Sequence, residues 1–183
     1  MALSRQLCEQ RVELAAGAFA PGHAVIELGC GQALVSMVVA ALFPGLSRVV
    51  ATDGSEGVLQ AARSNISANV PGVETLQLML LRWGVAKDVK QALELNNGAA
   101  YDVVLAADVT YTEDCSDLIS SAVELSHSRT EVWVLHEPRR RSVEGLEEML
   151  RAGFRTMEAF KMELTEQDTG RNETIPILGW HCV

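Results

Sequence analysis

The sequence predicts a doubly wound α/β fold: a mostly parallel sheet of seven strands with helices on both faces and an antiparallel hairpin at the C-terminal end. Three observations predict it. Short apolar runs bounded by turn residues alternate five times with segments whose apolar residues recur at three- and four-residue steps. Their spacing of roughly 25 to 30 residues is that of strand–helix units joined by right-handed crossovers. After the fifth unit two stretches of alternating character follow, which make a hairpin rather than another crossover. Finally, the stretch from Ala24 to Val39, AVIELGCGQALVSMVV, joins a buried strand to a helix through a glycine turn.

Taken in order, residues 3–20 form a weakly amphipathic helix with Leu3, Leu7, Val12, Leu14 and Phe19 among polar residues, ended by Pro21-Gly22. Ala24 to Leu28 is the first strand. Gly29 and Gly31 end it, and Leu34, Val35, Val38, Val39 and Leu42 form the stripe of the next helix, stopped by Phe43-Pro44-Gly45. Arg48 to Asp53 is a second strand ending in a carboxylate. Ser55 is placed to cap a helix that runs to about Asn69, with Val58, Leu59, Ala62 and Ile66 inward. Val73 to Leu80 reads as the third strand, with Arg82-Trp83-Gly84 at its end, and Val85 to Leu95 as a more polar helix. Tyr101 to Ala107 is the fourth strand. Thr112 is placed to cap a helix reaching Ser126, Glu131 to His136 is the fifth strand, and Ser142 is placed to cap a last helix closed by Gly153. Phe160 to Leu164 and Ile175 to Trp180, joined by the polar Gln167–Asn172 loop, make the hairpin.

A chain of 183 residues is expected to form a single domain, 1–183, with a substantial core. Fifteen Lys and Arg face 24 Asp and Glu, which argues against sequence-independent binding to nucleic-acid backbones. Cys8, Cys30, Cys115 and Cys182 lack C-x-x-C spacing, and the four histidines share no ligand spacing, so neither a metal site nor a disulfide framework is indicated. No apolar run approaches the roughly 20 residues that span a bilayer, and residues 1–11 lack a signal-peptide core. The expectation is a cytoplasmic protein, with a nuclear location also compatible, and no membrane partner.

In doubly wound folds ligands bind beyond the carboxyl ends of the strands, and the distinctive residues collect there. Glycines at the first turn let a ligand approach the backbone, and the following helix start offers unpaired N–H groups. A dinucleotide fingerprint needs a third small residue where Leu34 stands, so NAD is disfavoured. Asp53 is spaced to accept hydrogen bonds from two ribose hydroxyls, although a turn-forming Asp before Gly54 is the plain alternative. Trp83 offers a flat face for an adenine and Arg82 a planar donor; a Trp plugging the sheet edge is the competing assignment. Asp108 and Tyr111, three residues apart after the fourth strand, can face one cleft and orient an amine, or can be a helix-start Asp and a packed Tyr.

Glu27-Leu28-Gly29-Cys30-Gly31 resembles motif I of the class I S-adenosylmethionine-dependent methyltransferases, with Ala33 at the usual third glycine. Their Rossmann-like plan of five parallel strands and a final antiparallel pair covers nearly the whole chain. Thr52-Asp53, the helix with Asn65 and Asn69, the Leu81-Arg82-Trp83-Gly84 corner and Tyr101-Asp-Val-Val-Leu-Ala-Ala-Asp108-Val-Thr-Tyr111 narrow this further. They resemble methyltransferase family 16, largely protein-lysine methyltransferases with a D-x-x-Y motif, and the Thr52-Asp53-Gly54 and Leu81-Arg82-Trp83 strings are similar to its calmodulin-lysine branch. Family members also carry a Trp-containing segment ahead of the first helix that this sequence does not show.

The resemblance implies S-adenosylmethionine as cofactor, held by Glu27, Gly29, Cys30, Gly31, Asp53, Gly54, Arg82, Trp83 and Ala107. It implies methyl transfer to a lysine of a protein substrate, with Asp108 and Tyr111 as the catalytic pair. Arg139 to Arg141 would suit an acidic partner. The alternatives that remain open are a methyltransferase for another acceptor, whether a different protein side chain or a small molecule, and a non-catalytic methyltransferase-like binding module.

Overall fold

The computed structural model describes residue 7 and residues 11–109, 114–136, 144–164 and 175–183. The chain runs α1 (Arg11–Ala16), β1 (Ala24–Leu28), α2 (Leu34–Leu42), β2 (Arg48–Asp53), α3 (Glu56–Asn69), β3 (Leu76–Leu80) and α4 (Ala86–Leu95). It continues with β4 (Tyr101–Ala107), α5 (Ser116–Glu124), β5 (Ser126–His136), α6 (Glu144–Gly153), β6 (Met157–Leu164) and β7 (Ile175–Cys182). All seven strands lie in one sheet, in the order β3-β2-β1-β4-β5-β7-β6. The first five are parallel, and β7 pairs antiparallel with both β5 and β6. The predicted fold class is therefore the observed one.

Side chains alternate across the sheet because strands have a period of two. In β1, Val25 joins an apolar layer with Leu14, Phe19, Val39, Phe43 and Leu59, while Ala24, Ile26 and Leu28 join the opposite layer with Val89, Leu118, Leu150 and Trp180. Burial on both faces explains why β1 reads as a continuous apolar run. Burying a Leu, Ile or Val side chain stabilises by about 1.5–3 kcal/mol, so these two layers dominate the energetics. Phe19 stacks on Phe43 with ring centroids 4.7 Å apart, fixing the chain after α1 against the end of α2.

Several boundaries differ from the sequence expectation. Among the described residues the first helix is only Arg11–Ala16, with Leu7 also buried. Residues 73–75 form a turn closed by the Leu76 N–H on the Val73 carbonyl, so β3 begins at Leu76 and not Val73. In β5 pairing starts at Ser126, five residues before Glu131. The added segment is polar and carries no apolar alternation; it is held by the Thr130 hydroxyl donating to the Tyr101 carbonyl (2.6 Å) and by the His127 N–H donating to Thr130 Oγ1 (2.7 Å). The hairpin strands begin earlier, at Met157, and run later, to Cys182. Ser55 is the N-cap of α3 without a capping side-chain bond. The caps assigned to Thr112 and Ser142, and the Gln167–Asn172 loop, lie outside the described residues.

The strand order reverses between β1 and β4, which places the switch point above their carboxyl ends. Gly29, Asp53, Leu81 and Asp108 each follow or end a strand at that edge.

Candidate functional site

The β1–α2 turn is shaped by backbone first. Gly29 and Gly31 adopt left-handed φ of 70° and 53°, which glycine takes at no steric cost. A Cβ on Gly29 would stand 2.5 Å from Val109 Cγ1 and 3.1 Å from Trp83 Cζ2, so the turn needs glycine there to let both side chains close over it. A Cβ on Gly31 would meet nothing within 4 Å: the space above it is open. Ala33, where the resembled motif has a third glycine, is also left-handed with φ 62°. The backbone conformation is kept although the residue has changed, at a cost of about 1 kcal/mol.

Asp53 ties this turn to the next. Its Oδ2 accepts from the Gly31 N–H (3.2 Å) and its Oδ1 from the Ser55 N–H (2.9 Å), the latter an Asx-type turn that leads into α3. The carboxylate is half-buried, so lone pairs remain on the side facing the cleft.

Glu27 lies beneath the loop rather than in the cleft. It is 2 % exposed and on the α2 side of the sheet, where one of its oxygens accepts from the Ser36 N–H (3.0 Å) and from the Ser36 hydroxyl. It thus satisfies an orphan donor in the first turn of α2 from across the layer. Burial raises its carboxyl from 4.5 to about 7, against the lowering effect of the Ser36 bonds. The folded state therefore holds a proton that the unfolded chain releases between those two values, and stability falls as pH rises through that window. The penalty at pH 8 is about 3 kcal/mol. Replacing Glu27→Gln should flatten the pH dependence of the melting temperature between pH 4.5 and 7, a comparison that thermal denaturation at several pH values makes directly. Cys30 is buried, and burial followed by the charges of Glu27 and Asp53 raises its thiol far above the usual range, so it is an inert packing residue.

The β3–α4 corner supplies a wall. Arg82 donates to Asp88 from Nε (2.8 Å) and Nη2 (3.0 Å), and its backbone N–H donates to the same carboxylate (3.0 Å). The bidentate pair lowers the Asp88 carboxyl and raises the Arg82 guanidinium. Arg82 thus braces the corner as well as bordering the cleft. Gly84 turns the chain at φ 71°, its N–H donates to Ser121 Oγ (2.9 Å), and the Ser121 hydroxyl donates to the Asp117 carbonyl (2.8 Å). These bonds latch the corner to α5 and leave Trp83 half-buried above Gly29.

Together these residues enclose a cleft of about 410 Å³ lined by Gly29, Asp53, Gly54, Leu81, Arg82 and Trp83, with Ser55, Asp114, Asp117 and Leu118. That volume suits a small ligand. Five of the expected site residues meet there: Gly29, Asp53, Gly54, Arg82 and Trp83. Gly31 adjoins it through Asp53, while Glu27 and Cys30 lie under the loop. Ala107 ends β4, and Asp108 follows it, exposed, with a left-handed φ of 56° and its N–H donating to the Leu135 carbonyl (2.9 Å). Asp is among the few non-glycine residue types that adopt this region readily. Tyr111 and Arg139 to Arg141 lie outside the described residues. Asp114, Asp117 and Leu118 were not anticipated at the cleft: an Asp just ahead of a helix or in its first turn is ordinary, and for Asp117 it is the Gly84 contact that reveals its place.

The electrostatics of the lining select the ligand. Among the described residues its charged groups are three carboxylates, Asp53, Asp114 and Asp117, and one guanidinium already neutralised by Asp88. Such a lining opposes a pyrophosphate and favours a nucleoside carrying positive charge. With the open space above Gly31 and the flat face of Trp83, these residues fit S-adenosylmethionine.

Known proteins resemble the chain in sequence and in fold. The chain is 39% identical over 88 residues to the protein-lysine N-methyltransferase EFM3 of Chaetomium thermophilum, a match covering 48% of this chain and 26% of that protein. It is 34% identical over 95 residues to the calmodulin-lysine N-methyltransferase of Arabidopsis thaliana, covering 51% of this chain and 29% of the relative. The chain thus spans well under half the length of these two curated relatives. The magnesium protoporphyrin IX methyltransferase of Synechocystis PCC 6803, solved with bound SAH, superposes with a TM-score of 0.69 at 17% identity, over 98% of this chain and 83% of that one, and shows the same fold. The lysine methyltransferase family, methyltransferase family 16, matches residues 3–151, and the chain belongs to it.

Proposed function

We propose that this protein binds S-adenosylmethionine in the cleft at the switch point and transfers its methyl group to a lysine side chain of a protein substrate. The observation that carries this is the meeting of Asp53, Trp83 and Gly29 around one acidic cleft. When bound, the cofactor supplies a methyl group already activated by its sulfonium. Asp53 accepts hydrogen bonds from the ribose hydroxyls, Trp83 covers the base, and the Gly29–Gly31 turn gives its backbone to the methionine end. Asp108 stands at the end of β4 beside that turn, since its neighbour Val109 packs against Gly29. A carboxylate there holds the acceptor amine on line and stabilises the ammonium that develops on it. A lysine near its ordinary pKa of about 10.4 is protonated at neutral pH, so the acceptor gives its proton to solvent before the methyl group is transferred to the free amine. Tyr111, three residues on, is the second group of this acceptor site. Cytoplasmic residence and an acidic partner met by Arg139 to Arg141 complete the proposal.

Calorimetric titration with S-adenosylmethionine tests it. The wild-type chain should bind saturably. Asp53→Ala should weaken binding by about 10- to 100-fold, because two hydrogen bonds to a charged acceptor are lost and the Gly31 N–H loses its partner. A folded wild-type chain that binds no cofactor would overturn the assignment. Labelled-methyl transfer onto proteins, read at lysine after hydrolysis, distinguishes this acceptor from others.

A further inference from the structure

The turn between α4 and β4 carries chemistry unrelated to the cleft. Asparagine is a chemically labile residue, because the backbone nitrogen of the next residue can attack its side-chain amide carbon. A side chain on that next residue obstructs the attack. Of Asn65, Asn69, Asn96, Asn97 and Asn172, only Asn97 is followed by glycine, which leaves the approach open. Asn97 and Gly98 are both exposed, so water reaches the pair. The fold nevertheless holds the reacting atoms back. At this helix C-cap the Gly98 N–H donates to the Leu93 carbonyl (2.8 Å) and the Asn97 N–H to the Glu94 carbonyl (3.1 Å). Asn97 takes the left-handed φ of 57° that such a cap requires. Asn96 braces the turn from the other side, its Nδ2 donating to the carbonyls of Ala99 (3.1 Å) and Ala100 (3.0 Å). The nitrogen that would attack is therefore committed to Leu93, and freeing it means opening the end of α4. Residues 97–99 are exposed, so hydrogen bonds rather than packing oppose that opening.

We propose that Asn97 is a site of spontaneous deamidation, gated by opening of the turn that ends α4. The Gly98 nitrogen gives its proton to solvent base and forms a bond to Asn97 Cγ. The bond from Cγ to the side-chain nitrogen breaks, and that nitrogen takes a proton from water and leaves as ammonia. Water then opens the resulting cyclic imide at one of its two carbonyls, which yields aspartate in one case and isoaspartate in the other. Both products place a carboxylate at a helix C-terminus, where the dipole disfavours negative charge. Isoaspartate also routes the main chain through the former side chain and lengthens it by a methylene, so the Gly98 N–H no longer falls on Leu93. The modified turn leads directly into β4, which Tyr101 anchors by donating its hydroxyl to the Ala92 carbonyl (2.7 Å).

The test ages the folded protein in mildly alkaline buffer, digests it, and follows each asparagine-containing peptide by mass spectrometry, with isoaspartate and aspartate forms separated by chromatography. Asn97 should convert, faster at higher pH, while Asn65 and Asn69 stay intact. The chain unfolded in urea should convert at Asn97 about tenfold faster or more, since the turn no longer has to open. Asn96→Ala, which removes two hydrogen bonds from the turn, should speed conversion in the folded protein by about fivefold or more. Thermal melting verifies that this variant is folded, and the urea comparison on the wild type tests the gating without it. A folded protein in which Asn97 stays as intact as Asn65 overturns the site. Equal rates at Asn97 in the folded and unfolded chains overturn the gating.

Discussion

Gly29→Ala should lower the melting temperature by about 5–10 °C and abolish measurable cofactor binding. The added methyl would sit 2.5 Å from Val109 Cγ1, and Val109 is 2 % exposed with no room to retreat. Overpacking of this kind costs about 1–3 kcal/mol, and the left-handed φ of 70° adds about 1–2 kcal/mol for any residue with a Cβ. Relief can come only by displacing Val109 or Trp83, whose Cζ2 lies 3.1 Å from the new atom, and either shift deforms the cleft. Gly31→Ala provides the contrast. Its φ of 53° imposes a similar backbone cost, but its Cβ meets no protein atom within 4 Å. That variant should fold with a loss of only about 1 kcal/mol and still bind cofactor more than tenfold more weakly, because the space it fills is the ligand's. Thermal melts paired with calorimetry separate the two effects; equal cofactor affinity in Gly31→Ala and wild type would place the ligand elsewhere.

Asp108→Asn should reduce methyl transfer by about 100-fold or more, with cofactor affinity within a factor of three of wild type. Asn is the informative replacement because it tolerates the left-handed φ of 56° as Asp does, so the change removes charge without altering the turn. The carboxylate follows β4 and lies outside the set of residues that line the cleft, which is why binding should persist. Loss of one electrostatic stabiliser at a reacting centre is worth about 10²- to 10³-fold in rate. Single-turnover transfer from labelled cofactor measures this free of product release. Undiminished transfer would exclude Asp108 from the acceptor site.

The outline of this fold was legible because its signals are local. Burial of β1 and β4 on both faces writes apolar runs into the sequence, and Gly29, Gly31 and Asp53 mark the turn where a ligand belongs. What escaped were features set by contacts distant in sequence. Ser126 pairs with Tyr101 although polar, and residues 127–130 bulge from the ladder before Glu131 meets Val103, held by Thr130 bonding to Tyr101, 29 residues away. Arg82, taken from sequence as a donor toward the ligand, spends its guanidinium on Asp88, and Glu27 spends its carboxylate on Ser36. Asp117 reaches the cleft only because Gly84, 33 residues earlier in the chain, lacks a side chain. A helix-start aspartate and a turn glycine each have ordinary explanations, and only the fold brings them together.

Asp53 carries one more implication. By holding the Gly31 N–H with one oxygen and the Ser55 N–H with the other, it sets the turns after β1 and β2 against each other before any ligand arrives. The conformational entropy of ordering those two turns is lost when the sheet folds, rather than when the donor molecule docks. A nucleoside bound as proposed would meet a rigid floor, and its recognition would be a matter of complementarity to a surface already made.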